Sequence, residues 1–189
     1  MKKEHIKTYF NDELEAIRNL DNKKIEELIS KLENALINDQ NIYIFGNGGS
    51  GSTASHFVAD FNKSMFNKID KRFNFKCLND NIPIMLAISN DYGYEDVFLN
   101  QLKGRINSSD IIIAISGSGN SKNIIEAVSY AKSKGAFIIG FTGYDGGKLS
   151  KLSDLEINSG INNMQITEDI HLIIEHLIIS YFHTKYEVM

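Results

Sequence analysis

Five short runs of β-branched and aromatic residues, each apolar almost without a break, limit what this chain can fold into. They occupy residues 42–45, 75–78, 111–115, 137–141 and, as the shortest, 155–157. A strand with one wet face alternates apolar and polar residues. A strand covered on both faces does not, and burial on both faces is the habit of parallel sheets. Small and polar residues follow each run, and then a helical pattern. Strand, loop and helix repeated in that order predict an α/β fold: a three-layer sandwich with a doubly wound, parallel five-stranded sheet and right-handed crossovers.

The rest of the chain fits around that core as one domain over 1–189. Of its 189 residues 42% are hydrophobic, enough for one well-buried core but not two. The single proline, Pro83, and the absence of a low-complexity tract leave no place to divide it. Residues 1–38 are rich in Lys and Glu, with Ile6, Phe10, Leu14 and Ile17, then Ile25, Leu28, Leu32 and Leu36, at helical spacing. They read as two amphipathic helices for packing or oligomerisation, ahead of an α/β core over 41–189. A last helix over about 164–186 carries Ile170, Ile173, Ile174, Leu177, Ile178 and Tyr181, and so is expected to be buried on more than one side.

Twenty basic against twenty-four acidic residues give a formal charge of −4, with no basic footprint for nucleic acid. No apolar run approaches the roughly 20 residues of a membrane span, and the N-terminus runs straight into a charged helical pattern. A soluble, cytoplasmic chain is expected, with neither nucleic acid nor membrane as partner. The lone Cys77 can form no internal disulfide and no cysteine cluster, and reads as core.

In a parallel sheet function gathers at the carboxyl ends of the strands, where helix N-termini present free amides. After the first run stands Gly46-Asn47-Gly48-Gly49-Ser50-Gly51-Ser52-Thr53; after the third, Ser116-Gly117-Ser118-Gly119-Asn120-Ser121. Glycine lets backbone approach a ligand, and amides with serine hydroxyls suit an anion such as phosphate. Any βα turn tolerates Gly and Ser, and each serine also reads as a plain helix cap. Two such loops in one sheet favour a phosphorylated ligand.

Gly46, Gly48 and Gly51 have the spacing of the dinucleotide fingerprint. The acids after the second run begin with Asp80, about 30 residues on rather than about 20, so no nicotinamide is expected. The stretch Gly143-Tyr144-Asp145-Gly146-Gly147-Lys148-Leu149 is one residue short of a P-loop and lacks its hydroxyl residue.

Five segments in order, Gly46-Asn47-Gly48-Gly49-Ser50 with His56-Phe57, Ser89-Asn90-Asp91-Tyr92-Gly93, residues 115–121, Thr142-Gly143-Tyr144-Asp145-Gly146-Gly147-Lys148 and Glu168-Asp169-Ile170-His171, resemble the sugar isomerase (SIS) family. The likeness runs from the first strand into the last helix and points to the branch acting on seven-carbon sugar phosphates. It implies a flavodoxin-like core, a homotetramer with active sites at subunit interfaces, and one zinc ion per site. The implied reaction is isomerisation of sedoheptulose 7-phosphate to D-glycero-D-manno-heptose 7-phosphate, which opens nucleotide-activated heptose synthesis for lipopolysaccharide or capsule. A related branch, the DnaA initiator-associating proteins, binds without catalysing; that module and a nicotinamide-dependent reductase are the alternative readings.

His56 and Asp60, four apart, share one helix face; such a pair holds a divalent metal, works as acid and base, or is merely a surface pair. Glu168, His171, Glu175 and His176 stand on an otherwise apolar helix, where polar groups must find partners or a cavity. His171 reads as a structural histidine. By resemblance Asp60 and His176 are catalytic, and His56, Asp60, Glu168 and His176 are metal ligands. The phosphate falls to Ser116, Gly117, Ser118 and Ser121, and the sugar to Asn47, Gly48, Gly49, Ser50, Asp60, Asn90, Asp91 and Glu168. Eight helical residues rise about 12 Å, too far for Glu168 and His176 to share one ion from one straight helix. Either the helix starts after Glu168, or the two come from different subunits, or Glu175 or Asp169 is the better-placed acid. The branch usually has glutamate at position 60 and glutamine at position 168, which leaves the identity of the base open.

Overall fold

The computed structural model describes residues 1–64, 66 and 68–186. Two helices, α1 (Lys2–Arg18) and α2 (Asn22–Ile37), lead into β1 (Asn41–Gly46), α3 (Gly48–Lys63), β2 (Asn74–Cys77) and α4 (Ile82–Asp91). A 3₁₀ turn (Tyr94–Asp96) and the short α5 (Leu99–Leu102) precede β3 (Ile111–Ser116), α6 (Lys122–Ser133), β4 (Phe137–Thr142), α7 (Gly147–Leu152), β5 (Leu155–Asn158) and α8 (Met164–Tyr186).

The five apolar runs are the five strands. They form one all-parallel sheet in the order β2-β1-β3-β4-β5. Side chains alternate between the two faces of a strand. Ile42, Ile44, Ile113, Ile115 and Phe141 join one core with α2, α3 and α8, while Tyr43, Phe45, Ile112, Ala114 and Ile138 join a second with α5, α6 and α7. Every residue of β3 is buried, as a central strand covered on both faces requires. Phe57, Phe61 and Phe75 pack against one another, and Phe61 meets Phe182, which locks α3 to β2 and α8.

The chain leaves β1 for β2 on one side and later enters β3 on the other, so the order in which strands are added reverses between β1 and β3. The loops after those two strands flank the crevice that this reversal opens.

The helices differ in how much apolar surface they expose. α2 is capped by the Asp21 carboxylate, which accepts from the amides of Lys23 and Lys24 at 3.0 and 3.3 Å, and it buries Ile25, Leu28, Leu32 and Leu36. α1 buries only Ala16, and Ile6, Phe10, Leu14 and Ile17 all face outward. α4 buries nothing, leaving Ile82 and Leu86 more than 60% exposed. α8 departs from the expectation of burial all round: Ile170, Ile174 and Ile178 are buried, Ile173 is half-buried, and Leu177 and Tyr181 are exposed. The sheet side and α3 cover one flank of α8, and no described element covers the flank bearing Leu177 and Tyr181.

Candidate functional site

At the β1/β3 crevice lies a cleft of about 280 Å³. The loop after β1 lines it with Asn47, Gly48, Gly49 and Ser50, the loop after β3 with Ser116, Gly117, Ser118 and Ser121, and the start of α8 with Met164 and Glu168. α3 begins at Gly48 and α6 at Lys122, so two helix N-termini, with their unsatisfied amides and partial positive charge, open on the same space. Ser121 occupies the N-cap position of α6 but makes no capping bond; the Ser116 hydroxyl lies 3.4 Å from the Ser121 hydroxyl instead. The capping alternative for Ser121 therefore has no bond behind it. A side chain at Gly49 would displace the Glu168 carboxylate from its present position in the cleft.

Three expected sugar-binding side chains are hydrogen-bonded within the protein. The Asn47 amide is paired with that of Asn123, each donating to the other's oxygen at 2.9 Å, and its oxygen also accepts from the Tyr94 hydroxyl at 2.8 Å. Asn47 thus pins the two loops together. Sequence alone did not mark buried Asn123, because nothing in its local pattern separates it from any other polar residue in a first helical turn. Asn90 and Asp91, at the end of α4, bond to each other at 2.9 Å and do not line the cleft.

A second group of polar residues sits where α3 passes α8. The Nε2 atoms of His56 and His176 face each other at 3.0 Å. Asp60 Oδ2 lies 3.5 Å from His56 Nε2, and Glu175 Oε2 lies 3.7 Å from His56 Nε2 and 3.3 Å from His176 Nε2. One donor atom from each of the four lies within 4.8 Å of the others. Four ligands about 2.0 Å from a tetrahedral ion stand about 3.3 Å from one another, so these separations fit a shared divalent ion. His56, Asp60, Glu175 and His176 are residues that could hold one.

Burial pushes the Asp60 carboxyl up, but the Lys63 ammonium bonded to it, aided by the nearby imidazoles, outweighs this and holds it below the usual carboxylate range. Glu175 is driven the other way, to about 7, first by burial and then by the Asp60 charge. His171 is buried with its Nε2 3.0 Å from the Thr142 carbonyl oxygen, and burial lowers it to about 4. It holds α8 to the end of β4 as a neutral donor, a structural role.

Glu168 is not part of the cluster. α8 runs unbroken from Met164, which overturns the option of a helix starting after Glu168 and leaves this side chain two turns away, in the cleft of its own chain. Glu175 takes the place beside the histidines; its adjacency to His176 in an apolar helix was the available signal.

The SIS domain family matches residues 7–143. The probable phosphoheptose isomerase of Thermoplasma acidophilum is 34% identical over 180 residues, covering 95% of this chain and 98% of its own length. That of Sulfurimonas denitrificans is 38% identical over 162 residues, covering 82% of this chain and 79% of its own. Among solved structures, the phosphoheptose isomerase of Neisseria gonorrhoeae superposes with a TM-score of 0.86 at 27% identity over 97% of this chain and 100% of its own. That of Francisella tularensis gives 0.88 at 25% identity over 97% and 99%. With its parallel sheet, its paired glycine-serine loops and these relatives, the chain belongs to the SIS family.

Proposed function

We propose that this protein is a phosphoheptose isomerase, converting the ketose sedoheptulose 7-phosphate into the aldose D-glycero-D-manno-heptose 7-phosphate. One observation carries the reading: an anion-binding cleft and an imidazole-carboxylate cluster are joined by two shared helices, α3 and α8.

The phosphate rests on Ser116, Ser118 and Ser121 and on the amides at the starts of α3 and α6. Binding there fixes the remote end of the substrate, so that C1 and C2 meet the cluster in one orientation. A proton leaves C1 of the ketose and arrives at C2, while a second passes from the oxygen on C1 to the oxygen on C2. Asp60, kept ionised by Lys63, takes and returns the carbon-bound proton. His176, exposed at the rim, moves the proton between the oxygens. The proposed zinc, held by His56 and its neighbours, would polarise the carbonyl and stabilise the enediolate. The uncovered apolar faces of α1 and α4 and the Leu177–Tyr181 flank of α8 support a homotetramer with sites at subunit interfaces. No described helix is long and apolar enough to cross a membrane, and the proposed location is cytoplasmic.

The test is incubation of the purified protein with sedoheptulose 7-phosphate, with and without chelator. Aldoheptose phosphate is expected, and His176→Ala should abolish its formation while leaving a folded oligomer. Binding of the sugar phosphate without turnover, in zinc-loaded wild type, would replace the enzyme by a binding module.

A further inference from the structure

The end of the sheet opposite the cleft, where β3, β4 and β5 begin, holds a cavity of about 450 Å³. Most of the polar groups around it are already satisfied. The Lys132 ammonium, from α6, bonds to the Leu152 carbonyl oxygen at the end of α7 and to Asp154 Oδ1 at 3.1 Å. The other Asp154 oxygen accepts from the Ile138 amide at 2.8 Å. Gly135, at φ +83°, turns the chain out of α6. Its amide donates to the Lys132 carbonyl oxygen, and the Ala136 amide donates to that of Ala131. Lys132 and Asp154 are thus accounted for by architecture, and that turn leaves a ligand no amide from Gly135 or Ala136.

Two lining groups are not accounted for in this way. The Lys31 ammonium, from α2, makes no hydrogen bond or ion pair among the described residues and is held 4.1 Å from the centre of the Phe137 ring. The Ser108 hydroxyl, in the turn before β3, is likewise without a partner among them. A methyl group on Gly135 would come within 3.1 Å of Ser108 Cβ and take up the space between the two residues.

Charge limits what can fill this space. Lys31 and Lys132 against Asp154 leave one net positive charge, and the last carbonyls of α6 turn the negative end of a helix dipole towards it. A phosphate monoester, with a charge of about −1.5 to −2, is poorly matched. A single carboxylate matches, one oxygen taking the Lys31 ammonium and the other the Ser108 hydroxyl. Beyond it, Asp154 accepts from neutral hydroxyls, and the Ala136 methyl and Phe137 ring meet a carbon chain.

We infer that this cavity is a second ligand site, taking a small hydroxy acid with one carboxylate and several hydroxyls. The site goes beyond the isomerase reading and does not depend on it.

The probe is D-gluconate, titrated into the full-length protein carrying carbon-13-labelled alanine methyl groups and followed by nuclear magnetic resonance. Ala136 reports on the cavity, and Ala54, on α3, reports on the helix that starts at the cleft. The Ala136 signal should shift and saturate while Ala54 stays in place. Sorbitol, which lacks the charge, acetate, which lacks the hydroxyls, and inorganic phosphate should each bind at least about tenfold more weakly. Lys31→Gln should weaken gluconate about tenfold and Ser108→Ala about fivefold. Lys31→Arg, which keeps a cation over the Phe137 ring, should stay within about threefold of wild type. An unmoved Ala136, a shift at Ala54 alone, or equal affinity for acetate or phosphate overturns the inference. So does unchanged affinity in Lys31→Gln or in Ser108→Ala. Ser108 sits on an exposed turn, so its variant keeps the test decisive should Lys31→Gln fold poorly. Turnover of sedoheptulose 7-phosphate enters none of these readings, so failure of the isomerase reading leaves this inference standing.

Discussion

Acidification should weaken the docking of α8 through one residue, His171. Its ring is buried against Phe141, its Nε2 donates to the Thr142 carbonyl oxygen, and its pKa falls to about 4. An imidazole in the unfolded chain titrates near 6.5. Because the folded state resists the proton, this contribution to stability is complete above about 6.5 and is lost as pH falls towards 4. Linkage gives a loss of about 2 kcal/mol between pH 7.5 and pH 5, and about 3.4 kcal/mol once pH is well below 4. The perturbation is His171→Gln, which can still donate an amide hydrogen to the Thr142 oxygen but cannot titrate. Urea unfolding followed by circular dichroism, at one protein concentration, gives the stability of both proteins at pH 7.5 and pH 5. Other titrating groups are common to both and cancel in the difference. Wild type should lose about 2 kcal/mol more than the variant on acidification. Equal losses, within about 0.5 kcal/mol, would refute the assignment of His171 as a buried neutral donor.

Three further outcomes are expected. Ser121→Ala removes a hydroxyl that makes no capping bond, so stability should change by less than about 0.5 kcal/mol, whereas a lost cap costs about 1; KM for the sugar phosphate should rise about tenfold, the loss of one hydrogen bond to an anion. Gly49→Ala pushes a methyl group into the Glu168 carboxylate, and steady-state kinetics should show kcat/KM at least tenfold lower with an unchanged circular dichroism spectrum. Phe10→Asp on the uncovered face of α1 should leave the melting of a monomer untouched but shift an assembly to smaller species, read by size-exclusion chromatography with light scattering.

All five strands could be read from the sequence because burial on both faces leaves a continuous apolar signature that needs no partner to interpret. The two glycine-serine loops and the pair His56 and Asp60 were equally legible, since a βα turn and an i,i+4 pair are local. Long-range placement was not. Whether Glu168 or Glu175 meets the histidines depends on where α8 begins and how it crosses α3, and a helical pattern fixes neither within a turn. The positions Leu177 and Tyr181 read as buried because periodicity reports a greasy face without reporting what covers it. Asn90 and Asp91 depended on where α4 lies, and that helix buries no residue of its own.

α3 starts at the glycine-rich loop that lines the cleft and carries His56 eight residues later. A rod of hydrogen-bonded backbone spans about 12 Å over that stretch and neither stretches nor bends appreciably, so under the proposed function it would act as a gauge for the length of an open-chain substrate. A three-carbon phosphate seated in the cleft would fall short of the imidazoles. Inserting a single residue between Gly48 and His56 would swing the histidine about 100° around the axis, changing which molecules are measured as fitting without touching a group that binds them.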